Sequence, residues 1–124
     1  MKARLLVIDD EASLRLLYTQ ELADEGYEVV TAGNIEEATS ALQQGGFDLV
    51  LLDIKLKQES GLDFLQKIVK ERHDLPVILS TAFSCYKDDF SAWLADGYVV
   101  KSSDLAELKE EITRVLEKKR SNRS

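Results

Sequence analysis

Three carboxylates, one hydroxyl and one ammonium lie at the ends of short apolar runs in this chain. They are Asp9, Asp10, Asp53, Thr81 and Lys101. The apolar run before Asp53, 49–52, is shorter than a typical helix and lacks polar alternation, which favours a strand covered on both faces of a parallel sheet. Because the carboxyl ends of parallel strands meet at one edge of a sheet, we expect these side chains to lie close together.

Gathering three carboxylates requires a counter-charge. Two carboxylates about 4 Å apart repel by roughly 4 kcal/mol at an effective dielectric of 20. Mg2+, or alternatively Mn2+, suits oxygen ligands, and Lys101 would add positive charge without coordinating. An aspartate can act as a nucleophile and hold an acyl phosphate. The pattern therefore predicts phosphoryl transfer to Asp53, with Thr81 donating a hydrogen bond to the new phosphoryl group.

Each of these residues also has an ordinary explanation. An aspartate after a strand is often the N-cap of the next helix, which is the alternative for Asp10. A threonine at a strand end is commonly a turn hydroxyl, and a lysine there is commonly solvated. Their occurrence together is what favours chemistry.

Apolar runs alternate with stretches of helical period along the chain. The predicted strands are 5–8, 27–31, 47–52, 77–80 and 98–100. The predicted helices are 13–24, 34–44, a third that follows Gly61, 86–94 and 104–119. Asn34 and Asp104 are the predicted N-caps, and Glu37 is the predicted capping-box partner of Asn34. The alternation predicts a (βα)5 doubly wound, flavodoxin-like three-layer sandwich with a parallel five-stranded sheet of order 2-1-3-4-5.

Composition narrows the class of protein. A chain of 124 residues predicts one domain, here 1–120, followed by a polar tail or linker start at 121–124. The single cysteine allows no intramolecular disulfide, and no apolar run approaches membrane-spanning length, so we expect a cytoplasmic protein without a membrane partner. A net charge of −7 argues against a direct nucleic-acid surface over the domain as a whole.

Five motifs occur in order along the chain: Val7-Ile8-Asp9-Asp10-Glu11, Leu51-Leu52-Asp53, Gly61, Ser80-Thr81-Ala82 and Tyr98-Val99-Val100-Lys101. Together they resemble the CheY-like receiver domain of two-component response regulators, over about residues 3–118. The resemblance implies that Asp53 accepts a phosphoryl group from a sensor histidine kinase or a phosphotransfer protein. It also implies that Asp10, Asp53 and the backbone carbonyl of Lys55 ligate Mg2+, with Asp9 helping through water.

The resemblance further implies a switch around the phosphoryl group. Thr81 and Lys101 would bind the phosphoryl oxygens, and Tyr98 occupies the position of the switch aromatic, whose ring moves inward when Thr81 moves. Lys55 and Phe83 occupy positions that affect the lifetime of the phosphoryl group, and we expect the bulky Phe83 to lengthen it. The surface of the fourth helix, fifth strand and fifth helix would then change to control a downstream protein or an output domain, and could also support a homodimer.

Two other functions stay open. Lys101 is followed by Ser102, where the family usually has proline after a cis bond, and the stretch before Lys101 is short. A degenerate receiver could bind partners without phosphorylation. A flavodoxin-like cofactor binder or a small phosphatase could use the same fold, although Asp9 and Asp10 would repel a flavin phosphate. In the favoured interpretation the protein is not an enzyme, because it assists only its own phosphorylation and dephosphorylation.

Overall fold

A sheet of five parallel strands forms the centre of the molecule in the computed structural model. The strands are β1 (Arg4–Ile8), β2 (Glu28–Ala32), β3 (Leu49–Asp53), β4 (Val77–Thr81) and β5 (Gly97–Val100). Their order across the sheet is β2-β1-β3-β4-β5, which confirms the predicted fold and strand order. The structure describes residues 3–56, 59–72, 74–82, 94–101 and 105–122, with side chains up to residue 119.

The described helices cover both faces of the sheet. They are α1 (Ala12–Asp24), α2 (Ile35–Gln44), α3 (Gly61–Glu71) and a C-terminal helix (Ala106–Asn122). The C-terminal helix ends three residues later than predicted. Asp104, its predicted cap, and nearly all of the predicted helix at 86–94 lie outside the described residues. Within the described ranges, none of the helices combines the length and the apolar character needed to cross a bilayer.

Local hydrogen bonds explain where two helices begin. The Asn34 side chain accepts a hydrogen bond from the Glu37 N–H at 2.8 Å, which confirms the predicted N-cap of α2. The predicted capping box is wrong in its second half, because the Glu37 carboxylate accepts from the N–H of Gly33, one residue earlier, at 2.6 Å. At α3 the Ser60 hydroxyl accepts from the Asp63 N–H, a cap that the sequence analysis missed.

Two apolar layers hold the sandwich together, one on each face of the sheet. One layer joins the sheet to α2 and α3, through residues such as Leu42, Phe64, Leu65 and Ile68. The other joins it to α1 and the C-terminal helix, through residues such as Tyr18, Leu22, Leu108 and Ile112. All five residues of β3 are buried, as the unbroken apolar run predicted.

A short hairpin after β3 was not predicted. Lys55–Leu56 pairs antiparallel with Glu59–Ser60 and carries the chain back to α3. This return brings the first residue of α3, Gly61, against the end of β3, where its N–H donates to the Ile54 carbonyl oxygen at 2.8 Å. A Cβ at this position would lie 2.8 Å from the same oxygen, so the close approach requires glycine.

Candidate functional site

Three carboxylates converge at the carboxyl edge of the sheet. Asp9 and Asp10 follow β1, and Asp53 is the last residue of β3. One carboxylate oxygen from each lies within 4.8 Å of the other two. Asp9 and Asp53 are only 2% and 4% exposed, whereas Asp10 is half-buried. The structure thus places two buried carboxylates beside a third that solvent can reach.

Lys101 lies between the two buried carboxylates. Its Nζ is 2.8 Å from Asp9 Oδ2 and 3.0 Å from Asp53 Oδ2. The backbone positions this lysine, because the Lys101 N–H donates to the Thr81 carbonyl oxygen at 2.6 Å and so extends the β4–β5 ladder by one residue. Burial alone would disfavour the ammonium, but its hydrogen bonds to Asp9 and Asp53 outweigh that effect and raise the pKa of Lys101 above its usual value. Lys101 is therefore a fixed positive charge at neutral pH.

The Asp53 carboxylate is held from two sides. Its Oδ1 accepts a hydrogen bond from the Lys55 N–H at 3.1 Å, and its Oδ2 bonds to Lys101. Burial raises the pKa of Asp53, Lys101 opposes that effect, and the nearby Asp9 charge adds to it, so the pKa lies above the usual aspartate value. An oriented carboxylate of raised basicity is a competent nucleophile once its proton is lost.

Asp9 is oriented by the start of α1. Its Oδ1 accepts from the Glu11 N–H at 2.9 Å, and its backbone carbonyl accepts from the Arg15 guanidinium at 2.5 Å. Arg15 was not among the predicted site residues. The available signal was weak, namely a single arginine in the first turns of the helix that follows the acidic pair.

The donor chemistry of this cluster fits a hard divalent cation. All three side chains offer carboxylate oxygens, which are the ligands that Mg2+ prefers. Lys101 pairs with only two of the three carboxylates, so one ammonium group faces three acidic groups. A buried excess of negative charge is costly unless a cation compensates it.

The predicted switch residues, Thr81 and Tyr98, lie on the opposite face of the sheet from Asp53 and Lys101. Leu79 and Tyr98 are register partners that pack in the layer next to α2 and α3, and Thr81 shares their side because it lies two residues after Leu79. Thr81 is 1% exposed, and Tyr98 is half-buried with its N–H bonded to Glu111 Oε2 at 3.2 Å.

Two further features, both predicted at the site, lie outside the described residues. Phe83, the predicted lifetime-tuning residue, is one of them, and the Lys101–Ser102 bond is the other.

Comparison with known proteins decides the family. The model of the response regulator receiver domain matches residues 5–113. The chain belongs to this receiver family. A probable transcriptional regulator ycf27 from Porphyridium aerugineum is 38% identical over 117 residues, which cover 93% of this receiver and 48% of the relative. The probable transcriptional regulatory protein TcrX of Mycobacterium tuberculosis is 37% identical over 105 residues, 83% of this receiver and 45% of the relative. The receiver therefore spans about half the length of these curated relatives.

Solved structures show the same architecture. The response regulator TrrA from Thermotoga maritima, in complex with Mg2+-BeF, is 48% identical with a TM-score of 0.88, and the match covers 93% of this receiver and 99% of TrrA. TrrA has also been solved in complex with the histidine kinase ThkA, with a TM-score of 0.86 over 94% of this receiver and 99% of that chain. A CheY-like receiver from Methanospirillum hungatei is 28% identical with a TM-score of 0.91, covering 98% and 99% of the two chains.

Proposed function

We propose that this receiver accepts a phosphoryl group on Asp53 from a histidine kinase or a phosphotransfer protein, with Mg2+ as cofactor. The observation that carries the proposal is the Asp53 carboxylate itself. It is buried, bonded through one oxygen to the Lys55 N–H and through the other to Lys101, and clustered with two further carboxylates. The solved complexes of the 48% identical TrrA with Mg2+-BeF and with the kinase ThkA support both the cofactor and the donor class.

The residues of the site have separate roles in the phosphoryl transfer. An oxygen of Asp53 attacks the phosphorus, the bond from phosphorus to the donor imidazole nitrogen breaks, and the electron pair leaves with that nitrogen. Lys101 neutralises charge on the phosphoryl oxygens from the side where it already contacts Asp53. Asp10, Asp53 and the backbone carbonyl of Lys55 would hold Mg2+, with Asp9 acting through water. When bound, the ion neutralises negative charge on the phosphoryl oxygens.

Thr81 and Tyr98 would pass the change at Asp53 on to the protein surface. The Thr81 hydroxyl donates to the new phosphoryl group, which draws the end of β4 toward Asp53 and makes room for the Tyr98 ring on the shared side of the pleat. This movement alters the surface that includes β5 and the C-terminal helix. A downstream protein, an output domain or a second copy of the receiver would read that surface.

The relatives suggest what lies downstream. Those named as probable transcriptional regulators are about twice as long as this receiver, which favours control of an output domain. We assign the receiver to the cytoplasm and regard it as a switch that assists its own phosphorylation, without turnover of a separate substrate. Residues 1–120 would form the receiver, and 121–124 would begin a linker or tail.

Intact-mass measurement tests the proposal directly. The receiver is incubated with acetyl phosphate and Mg2+, and the expected result is a gain of one phosphoryl group that is lost in Asp53→Ala and without Mg2+. Asp24→Asn is the matched control, because Asp24 is an exposed carboxylate at the end of α1. A folded receiver that gains no mass with acetyl phosphate or with a phosphorylated kinase domain would contradict the proposal and favour the degenerate receiver.

A further inference from the structure

Glu59 joins the loop that follows Asp53 to the start of α2. It is an exposed residue in the short hairpin that leads from β3 to α3, in which Lys55–Leu56 pairs with Glu59–Ser60. Its Oε1 accepts a hydrogen bond from the N–H of Ile35, the first residue of α2, at 3.1 Å. The two bonded residues are 24 positions apart in the sequence, so only the fold brings them together.

This bond satisfies a donor that α2 cannot satisfy by itself. The first N–H groups of a helix have no partner within the helix. At α2 the Asn34 side chain accepts from the N–H of Glu37, and Glu59 accepts from the N–H of Ile35. A carboxylate is favoured at this position, because the amino end of a helix carries partial positive charge. Glu59 thus caps α2 from a distant part of the chain.

The same hairpin carries the backbone groups that serve Asp53. The Lys55 N–H donates to Asp53 Oδ1 at 3.1 Å, and the proposed Mg2+ site uses the carbonyl of the same lysine. Lys55 is the register partner of Ser60, and the neighbouring pair joins Leu56 to Glu59. Glu59 therefore lies one residue pair away from the Lys55 backbone.

The hairpin depends on contacts with the rest of the fold, because a two-stranded hairpin by itself is only marginally stable in water. At its base the Gly61 N–H donates to the Ile54 carbonyl oxygen at 2.8 Å, and the Leu56 side chain is buried in the layer next to α2 and α3. The bond from Glu59 holds the second strand of the hairpin against α2. Mg2+ demands near-ideal octahedral geometry, so a small displacement of a ligating carbonyl weakens its binding.

We propose that Glu59 is a positioning residue that fixes the hairpin against α2 and so places the Lys55 backbone for Mg2+ and for Asp53. The inference rests on the proposed function, because it concerns the same acidic site. It assigns a role to a glutamate that the sequence pattern did not single out.

The test separates the hydrogen bond of Glu59 from its charge. Glu59→Ala removes both, and we expect it to raise the Mg2+ dissociation constant of the unphosphorylated receiver about fivefold, as measured from amide shifts of the acidic cluster during an Mg2+ titration. Glu59→Gln removes the charge but keeps an acceptor for the Ile35 N–H, and its dissociation constant should stay within about twofold of the parent value. Glu36→Ala is the matched control, because Glu36 is another exposed carboxylate in the first turn of α2, and its loss should leave the dissociation constant unchanged.

A second measurement needs neither Mg2+ nor phosphorylation. The amide resonance of Lys55, whose N–H bonds to Asp53, should shift in Glu59→Ala and return toward its parent position in Glu59→Gln. If Glu59→Ala binds Mg2+ as tightly as the parent, if Glu59→Gln binds it as weakly as Glu59→Ala, or if the Lys55 resonance does not move, the assignment of Glu59 is wrong. A parent protein that binds no Mg2+ would instead refute the proposed function, and the Lys55 resonance would still decide whether Glu59 places the hairpin.

Discussion

Replacing Lys101 by methionine should expose how much the acidic site depends on one ammonium. Lys101 Nζ is 2.8 Å from Asp9 and 3.0 Å from Asp53, which corresponds to a gross attraction of about 6 kcal/mol with each carboxylate at an effective dielectric of 20. Desolvation offsets most of that attraction, but removing one partner of a buried ion pair still costs about 3–5 kcal/mol, because the other charges stay buried. We expect Lys101→Met to lower the free energy of unfolding by about 3 kcal/mol without a divalent cation. This is the lower end of the range, because water can reach the cluster beside the half-buried Asp10.

Mg2+ should reverse part of this loss. A ligand at one hundred times its dissociation constant stabilises the folded state by about 2.7 kcal/mol. Lys101→Met frees two carboxylates from the ammonium, so Mg2+ should bind the variant more tightly than the parent and narrow the difference in stability. The assay is urea unfolding at pH 7, followed by far-ultraviolet circular dichroism, in EDTA and then in excess Mg2+.

Lys109→Met is the matched control for charge loss. Lys109 pairs with the partly exposed Glu21 at 3.3 Å, so its loss should cost at most about 1 kcal/mol and should not respond to Mg2+. The electrostatic account of the site would be refuted if Lys101→Met lost less than about 1 kcal/mol in EDTA, or if the loss were equally large in Mg2+.

Three further predictions concern stability. Because the pKa of Asp53 is raised by folding, its ionisation costs stability as pH rises through that pKa; Asp53→Asn should therefore have a higher urea midpoint than the parent at pH 7, and the difference should vanish below about pH 4. Gly61→Ala should lower the free energy of unfolding by about 2 kcal/mol, because the new methyl would collide with the carbonyl oxygens of Asp53 and Ile54; an unchanged urea midpoint would contradict this packing. Because the Arg114 hydrogen bond lowers the pKa of Glu111, the stability that this pair adds is present above the usual glutamate pKa and is lost as pH falls through the lowered one. Arg114→Gln should accordingly cost about 0.5 kcal/mol more at pH 7 than in acid, where Glu111 is protonated and only the Arg114 bond to the Asp96 carbonyl is lost, as measured by urea midpoints at both pH values.

The sequence by itself determined the fold and the membership of the acidic cluster. Short unbroken apolar runs such as 49–52 favour a strand covered on both faces, and their alternation with helical periods favours parallel strands joined by helices. Parallel strands point their carboxyl ends to one edge, so Asp9, Asp53 and Lys101 had to meet there. That inference depends on topology and needs no side-chain coordinates.

Only the tertiary structure decided which contacts those residues make. Lys101 bridges Asp9 and Asp53, and Arg15 holds the Asp9 carbonyl. These partners are set by strand register and helix placement, which local patterns do not encode. The same limit explains the misplaced capping bond of Glu37, where two N–H groups one residue apart compete for one carboxylate.

Tyr18 shows most clearly how far the sequence pattern predicts a position and where the fold decides the rest. Its spacing with Leu14 and Leu22 predicted a core position, and the structure places its ring in the core. Helical period states which side of α1 faces the sheet but not which strands that side packs against. Tyr18 packs in one layer with Ile78 and Val99, and only the folded chain brings that helix and those strands together.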